Sequence, residues 1–354
     1  MNPLRHQTVP VFKTPAPTSR VAVRGCRRGF TIPETAVILI ILLNLLAVLV
    51  PFVLNMMETS RQNRCADNLR QIGAGLASFD EKGKQFPVGQ VARKTASNKV
   101  GRYADPAEAT STGGTATNSG ASWVTGILPH LGGKASGLQW DHKQSVVENR
   151  TVGMVELEQL YCPSRRSGMQ ATGAYANCLR VTADWTQGGN DYAACTGSGI
   201  SFNDEARQTY YLTQEQANAT YRGGHTPFSA GALRRGVFGV NSKVTATEIG
   251  AADGLAYVMT VAERRVSGSG ETGVLQSSDG WAWGGPATLF SARSLPRTGR
   301  HYDEADSSHP YLIQVVMADG RVRRISVDVD LGTWQNLGDY SSGHSIDHPN
   351  FNKW

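Results

Sequence analysis

The chain has 354 residues, enough for one large domain or two small ones, and its 35 Lys and Arg against 29 Asp and Glu leave a formal charge of +6. That surplus resembles a nucleic-acid footprint until it is located: Arg5, Lys13, Arg20, Arg24, Arg27 and Arg28 all lie in residues 1–29, which hold no acidic residue. The remainder is formally neutral, so composition argues against a basic binding face and no nucleic-acid partner is expected.

Residues 35–57 carry no charged side chain. As a helix these 23 residues rise about 35 Å, enough for a hydrocarbon core of about 30 Å. The basic residues before the run place the N-terminus in the cytoplasm and everything after Met57 outside the cytoplasmic membrane. Arg27-Arg28 is not read as a twin-arginine address, and an ordinary signal peptide is also rejected, because no small-residue cleavage site follows the apolar run. Beyond Glu58, the positions Cys65, Leu69, Ile72, Leu76 and Phe79 recur at helical spacing, so the helix is expected to leave the membrane and lay one apolar stripe on a sheet. Gly83 and Pro87 supply its stop, and Pro51 is the expected kink.

The expected organisation is a basic leader over 1–29, a membrane-spanning helix over 30–57, its amphipathic continuation over 58–82, a flexible polar loop over 83–122, and a β-rich head over 123–354. In the head, Tyr257–Ala262 reads as a buried strand. Tyr311–Met317 and Arg321–Val327 read as a hairpin turning at Asp319-Gly320, where a tight turn wants positive φ at both central residues. Asp330 is placed to cap a short helix carrying Trp334 and Leu337.

Gly29-Phe30-Thr31-Ile32-Pro33-Glu34 resembles the prepilin cleavage and methylation motif. The resemblance implies a cut after Gly29 by a membrane peptidase that also methylates Phe30. Pro33 departs from the usual aliphatic residue, although a proline suits a first helical turn. Glu34, a carboxylate at the edge of an apolar segment, needs a cation. The amino group of Phe30 on a neighbouring subunit is the candidate, which gives Glu34 a recognition role in assembly.

His309, nine residues, then Asp319-Gly320 resembles the C-terminal signature of a large pilin-like (pseudopilin) family of unknown function abundant in planctomycete bacteria. Cys65-Ala66-Asp67-Asn68-Leu69-Arg70-Gln71-Ile72-Gly73, Phe86-Pro87, Ser122-Trp123, Tyr161-Cys162-Pro163-Ser164 and Asp253-Gly254 agree with it in order. The resemblance implies an α+β fold, with a long N-terminal helix on an antiparallel sheet, and no assigned activity.

Candidate chemistry is sparse. Cleavage after Gly29 would remove Cys26 and leave Cys65, Cys162, Cys178 and Cys195 as candidate disulfide cysteines. Their three pairings stay open, as does the alternative of free buried thiols. No Cys-x-x-Cys pair occurs, so no zinc ribbon is expected. His309 and Asp319 invite an acid–base reading, but a turn and a strand-edge histidine explain them more simply. Trp281 and Trp283, flanked by glycines, form either a ligand surface or core packing. His344 and His348 read as a solvated tail. Calcium at Asp328, Asp330 and Asp339 is weighed against loops that hold no ion. No cofactor, metal or catalytic residue is expected. The expected role is a structural or assembly subunit of a type IV pilus-like or type II secretion-like system, with the membrane, a prepilin peptidase and other pilin-like subunits as partners. The alternative is a surface-anchored ligand- or carbohydrate-binding protein using the pilin signal only for export.

Overall fold

A computed structural model describes residues 29–91, 99–100, 120–169, 185–198, 212–213, 236–239, 242–265, 279–297 and 304–340. The basic segment up to residue 28, Cys178, His344 and His348 lie outside the described residues, as does most of the expected loop over 83–122. In chain order the elements are α1 (Ile32–Gly83), β1 (Lys99–Val100), α2 (Trp123–Ile127), α3 (Arg150–Gly153), β2 (Tyr192–Cys195), β3 (Leu212–Thr213), α4 (Ala246–Ala251), β4 (Met259–Glu263), β5 (Leu289–Phe290), β6 (Leu312–Met317), β7 (Val322–Ser326) and α5 (Leu331–Gly338). The chain divides into two compact units between Leu54 and Asn55.

In the first unit, α1 is long and apolar enough to cross a membrane. Its large apolar side chains from Val37 to Leu54 are each 40–73 % exposed. A continuous apolar surface of this extent far exceeds what a soluble monomer leaves to water. The helix runs through Pro51, whose missing N–H leaves the Ala47 carbonyl without its ordinary helical donor.

In the second unit, α1 buries Cys65, Leu69, Ile72 and Leu76, the stripe its spacing predicts, and Phe79 packs partly buried beside them. The five-stranded sheet has the order β5-β2-β4-β6-β7. All neighbours are antiparallel except β2 and β5, which pair in parallel through Ala194↔Leu289 and Cys195↔Phe290. The expected antiparallel pairing holds for β2–β4, β4–β6 and β6–β7, and is corrected at β2–β5, which makes the sheet mixed. The chain between Cys195 and Leu289 is long enough for the crossover that a parallel pair requires.

Alternation along the strands divides the core between two faces. Tyr192, Ala194, Val261 and Val316 face the cluster that holds α1 and α2, whereas Ala193, Cys195, Ile313, Val315 and Met317 face Trp334 and Leu337 of α5. Asp330 caps α5 as expected, its carboxylate accepting the Thr333 N–H at 2.9 Å.

Gly73 explains how closely α1 approaches the sheet. A Cβ there would lie 2.9 Å from the Gly320 carbonyl oxygen and 3.0 Å from Val316 Cγ1, so the glycine is a packing requirement despite its low helix propensity. The β6–β7 hairpin also differs from the two-residue turn expected. Gly320 N–H donates to the Met317 carbonyl and Met317 N–H to the Arg321 carbonyl, which makes residues 318–320 a three-residue loop. Gly320 alone takes positive φ, at +80°, so Asp319 needs no left-handed backbone. The strand expected at Tyr257 starts at Met259 instead, because Leu255–Tyr257 forms a single 3-10 turn after Gly254 at φ +88°. The described part of the expected polar loop is not free: Phe86 is buried and Gln90 forms a β-bridge with Ser122.

Candidate functional site

Where α1 crosses the sheet, four segments distant in sequence converge. Cys65 lies on the apolar stripe of α1. Cys162 opens a tight turn in which its carbonyl accepts the N–H groups of Arg165 and Arg166 at 2.9 and 3.0 Å. Glu263 ends β4, and His309 precedes β6. All four are buried, at 0, 4, 2 and 0 % exposure respectively.

Their functional atoms all lie within 4.8 Å of one another. Cys65 Sγ is 3.2 Å from Cys162 Sγ, and Cys162 Sγ is 3.6 Å from His309 Nε2. His309 Nε2 is 3.1 Å from Glu263 Oε1. The surroundings hold each group in place. His309 Nδ1 lies 2.6 Å from Glu58 Oε1, and Glu58 Oε2 accepts from the Ser164 hydroxyl at 2.9 Å. Glu263 Oε2 accepts from the Ser307 hydroxyl at 2.7 Å and the Gln314 N–H at 3.0 Å. The Cys162 N–H donates to Asp191 Oδ2 at 3.0 Å.

The electrostatics separate the two thiols. The hydrogen bond from Cys65 and the His309 contact outweigh burial and lower Cys162 to about 7. Cys65, which supplies that bond and is itself buried, is pushed far up. For His309, burial disfavours the imidazolium, but Cys162 and Glu263 together outweigh it and raise the group to about 11. The cluster therefore joins one thiol held protonated, one whose thiolate is favoured and an imidazole favoured in its charged form, all closed to solvent.

Beside it lies a second buried network. Arg166 Nε donates to Asp191 Oδ1 at 2.8 Å, Nη2 to Asp279 Oδ1 at 3.0 Å and to the Asn190 carbonyl at 3.1 Å, and Nη1 to Asp279 Oδ2. Arg165 also pairs with Asp191. Asp191 thus joins the arginine network to the backbone of Cys162.

The other sequence candidates fall elsewhere. His309 is not a strand-edge residue but a fully buried member of the cluster, and a six-residue strand separates it from Asp319, which sits half-buried in the hairpin turn. The turn reading of Asp319 agrees with this placement, and the strand-edge reading of His309 is corrected to a place in the cluster. Of the candidate disulfide cysteines, only Cys65 and Cys162 come together among the described residues; Cys195 is buried near the Gly338 carbonyl at 3.6 Å, and all three are free thiols. Trp281 and Trp283 have no exposed surface, so the ligand-surface reading is corrected to packing: Trp281 lies against Trp140 and Trp283 against Trp185. Asp330 is used as a helix cap, and Asp339 accepts the N–H and hydroxyl of Ser198 at 2.7 and 2.6 Å. Gly29 and Phe30 are exposed ahead of α1, and Glu34 Oε2 accepts both the N–H and the hydroxyl of Thr31 at 2.8 Å. Sequence reading missed Glu58 and Glu263 entirely.

These features define an α+β protein in which the C-terminal part of a 52-residue helix is seated on a five-stranded sheet, with a buried thiol–imidazole–carboxylate cluster at the seam. The chain belongs to the family described as "Protein of unknown function (DUF1559)", whose model matches residues 55–332. That match begins where the second compact unit begins. No curated protein and no solved structure matches the chain.

Proposed function

We propose that this chain is a membrane-anchored, pilin-like structural or assembly subunit of a type IV pilus-like or type II secretion-like system. The observation that carries the reading is α1: one continuous helix that exposes an apolar surface from Val37 to Leu54, interrupted by Asn44, and whose later part is fixed to a folded head. Such a helix is suited to lie in lipid before assembly and against neighbouring helices afterwards, without refolding the head. In this reading a prepilin peptidase cuts after Gly29 and methylates Phe30, the N-terminus faces the cytoplasm and the head lies outside. The role is non-catalytic, and closure to solvent of the thiol–imidazole–carboxylate cluster found among the described residues supports that. The binding-protein alternative drew on Trp281 and Trp283, and their burial removes that support.

Glu34 carries the assembly contact in this account. Among the described residues it bonds the cap of its own helix at Thr31, and its position at the start of the apolar segment suits the amino group of a second subunit. Glu34→Ala expressed in the native host should leave the protein in the membrane with a folded head but abolish its recovery in sheared filaments. Recovery at the wild-type level would refute the contact.

A further inference from the structure

The geometry points to a zinc(II) site formed by Cys65, Cys162, Glu263 and His309, closed by four protein ligands and therefore structural rather than catalytic. The inference rests on the second compact unit alone and does not depend on the pilin-like reading.

Distances favour a tetrahedral ion over a disulfide or a pair of inert thiols. Zinc with Zn–S of about 2.3 Å and Zn–N of about 2.0–2.1 Å sets tetrahedral edges of about 3.8 Å between sulfurs and about 3.5 Å between sulfur and nitrogen. The observed Sγ–Nε2 separation of 3.6 Å fits that edge, and the Sγ–Sγ separation of 3.2 Å lies nearer the tetrahedral edge than a disulfide bond, so the thiols part by roughly half an ångström to admit the ion. A disulfide would need about 2.05 Å between the sulfurs. It would also leave unexplained why an imidazole nitrogen and a carboxylate oxygen are aimed at the same point. Two inert thiols would explain neither.

A second observation concerns the carboxylate. Glu263 is buried; its Oε2 accepts two hydrogen bonds, while Oε1, which faces the cluster, is met among the described residues by the His309 ring, Nε2 lying 3.1 Å away. A buried carboxylate beside two buried sulfurs needs compensating positive charge. A cation among the four groups, in place of the Nε2 proton, supplies it. The imidazole is oriented in the manner of a metal ligand: Nδ1 faces Glu58 Oε1, a partner for an Nδ1–H, so that Nε2, once it gives up its proton, directs its lone pair toward Cys162 and Glu263. Two thiolates, one imidazole and one carboxylate in a closed tetrahedron select zinc over the oxygen-seeking magnesium and calcium.

The ligands come from α1, the turn at Cys162, the end of β4 and the segment before β6. One ion would therefore fasten the long helix to the sheet at the level where α1 begins to be buried.

The test uses the full-length chain purified in mild detergent under reducing conditions. Elemental analysis should find one zinc per chain. Cobalt(II) exchanged into the stripped protein should give the thiolate charge-transfer and visible ligand-field bands of a tetrahedral sulfur-bound ion. Removal of the ion should lower Tm by roughly 10 °C, restored by zinc. Cys162→Ser should abolish the charge-transfer intensity or reduce it by about half. Cys195→Ser, outside the cluster, should keep one ion. Glu58→Gln, which touches His309 but not the ion, should weaken cobalt binding by roughly 10–100-fold while the apo chain stays folded. The proposal is overturned if the folded, reduced wild-type chain takes up neither zinc nor cobalt at tens of micromolar, far above the affinity expected of a structural site. It is equally overturned if the charge-transfer band is undiminished in Cys162→Ser. Protein from native membranes carrying a Cys65–Cys162 disulfide and no metal would overturn it as well.

Discussion

Arg166→Ala should destabilise the head by about 3–5 kcal/mol, because it leaves Asp191 and Asp279 buried without their shared guanidinium. Arg166→Lys should recover little: one ammonium cannot reproduce a fork that meets both carboxylates. Acid provides an internal check. Burial alone would raise Asp279, but Arg166 outweighs it and holds the carboxyl below its ordinary range. A depressed folded-state value means that stability is present above the unfolded value of about 3.9 and is lost as pH falls through the lower folded one. Wild-type protein should therefore keep this contribution down to about pH 4. Without the arginine the sign reverses: the buried carboxylate resists ionisation, so the gap between variant and wild type should narrow on acidification. Denaturant midpoints of the full-length chain in detergent at neutral and acid pH would measure both effects, and a gap that widens in acid would contradict the assignment.

Trp281→Ala should cost about 3–5 kcal/mol. The indole is fully buried, its Nε1–H donates to the Val155 carbonyl at 2.9 Å, and its ring lies 5.9 Å from that of Trp140. Truncation would leave both a cavity and an orphaned carbonyl. A tryptophan serving as a sugar platform would behave oppositely, losing ligand affinity with little change in folding. Thermal unfolding of the variant separates the two: a drop in Tm of about 10 °C is expected for packing, and an unchanged Tm would restore the surface role.

The α1 stripe was legible because its period is local. Cys65, Leu69, Ile72 and Leu76 announce one buried face whatever they pack against. Asp330 was legible for the same reason, as an N-cap needs only its own helix. The hairpin was readable in position but not in turn type, because Asp-Gly suits both a two-residue turn and a three-residue loop with only Gly320 left-handed. The buried cluster was not legible. Cys65 and Cys162 stand 97 positions apart and Cys162 and His309 147, and no spacing rule covers ligands brought together by tertiary folding. One signal did exist. Three of the four residues lie in stretches that carry the family resemblance: Cys65 and Cys162 in two of its fragments and His309 in the C-terminal signature. Taken together rather than singly, they suggest a shared site. Glu263 and Glu58 left no such trace, since an isolated glutamate in sequence looks like a solvated one.

On this reading α1 is, above all, an anchor handed to an assembly machine by cleavage between Gly29 and Phe30. Mass spectrometry of the N-terminus of protein isolated from native membranes tests that most directly. The expected result is a chain that begins with N-methylated Phe30, free of all six basic residues that give the precursor its charge. A chain that retains its leader in those membranes, or that is cut elsewhere, would contradict it.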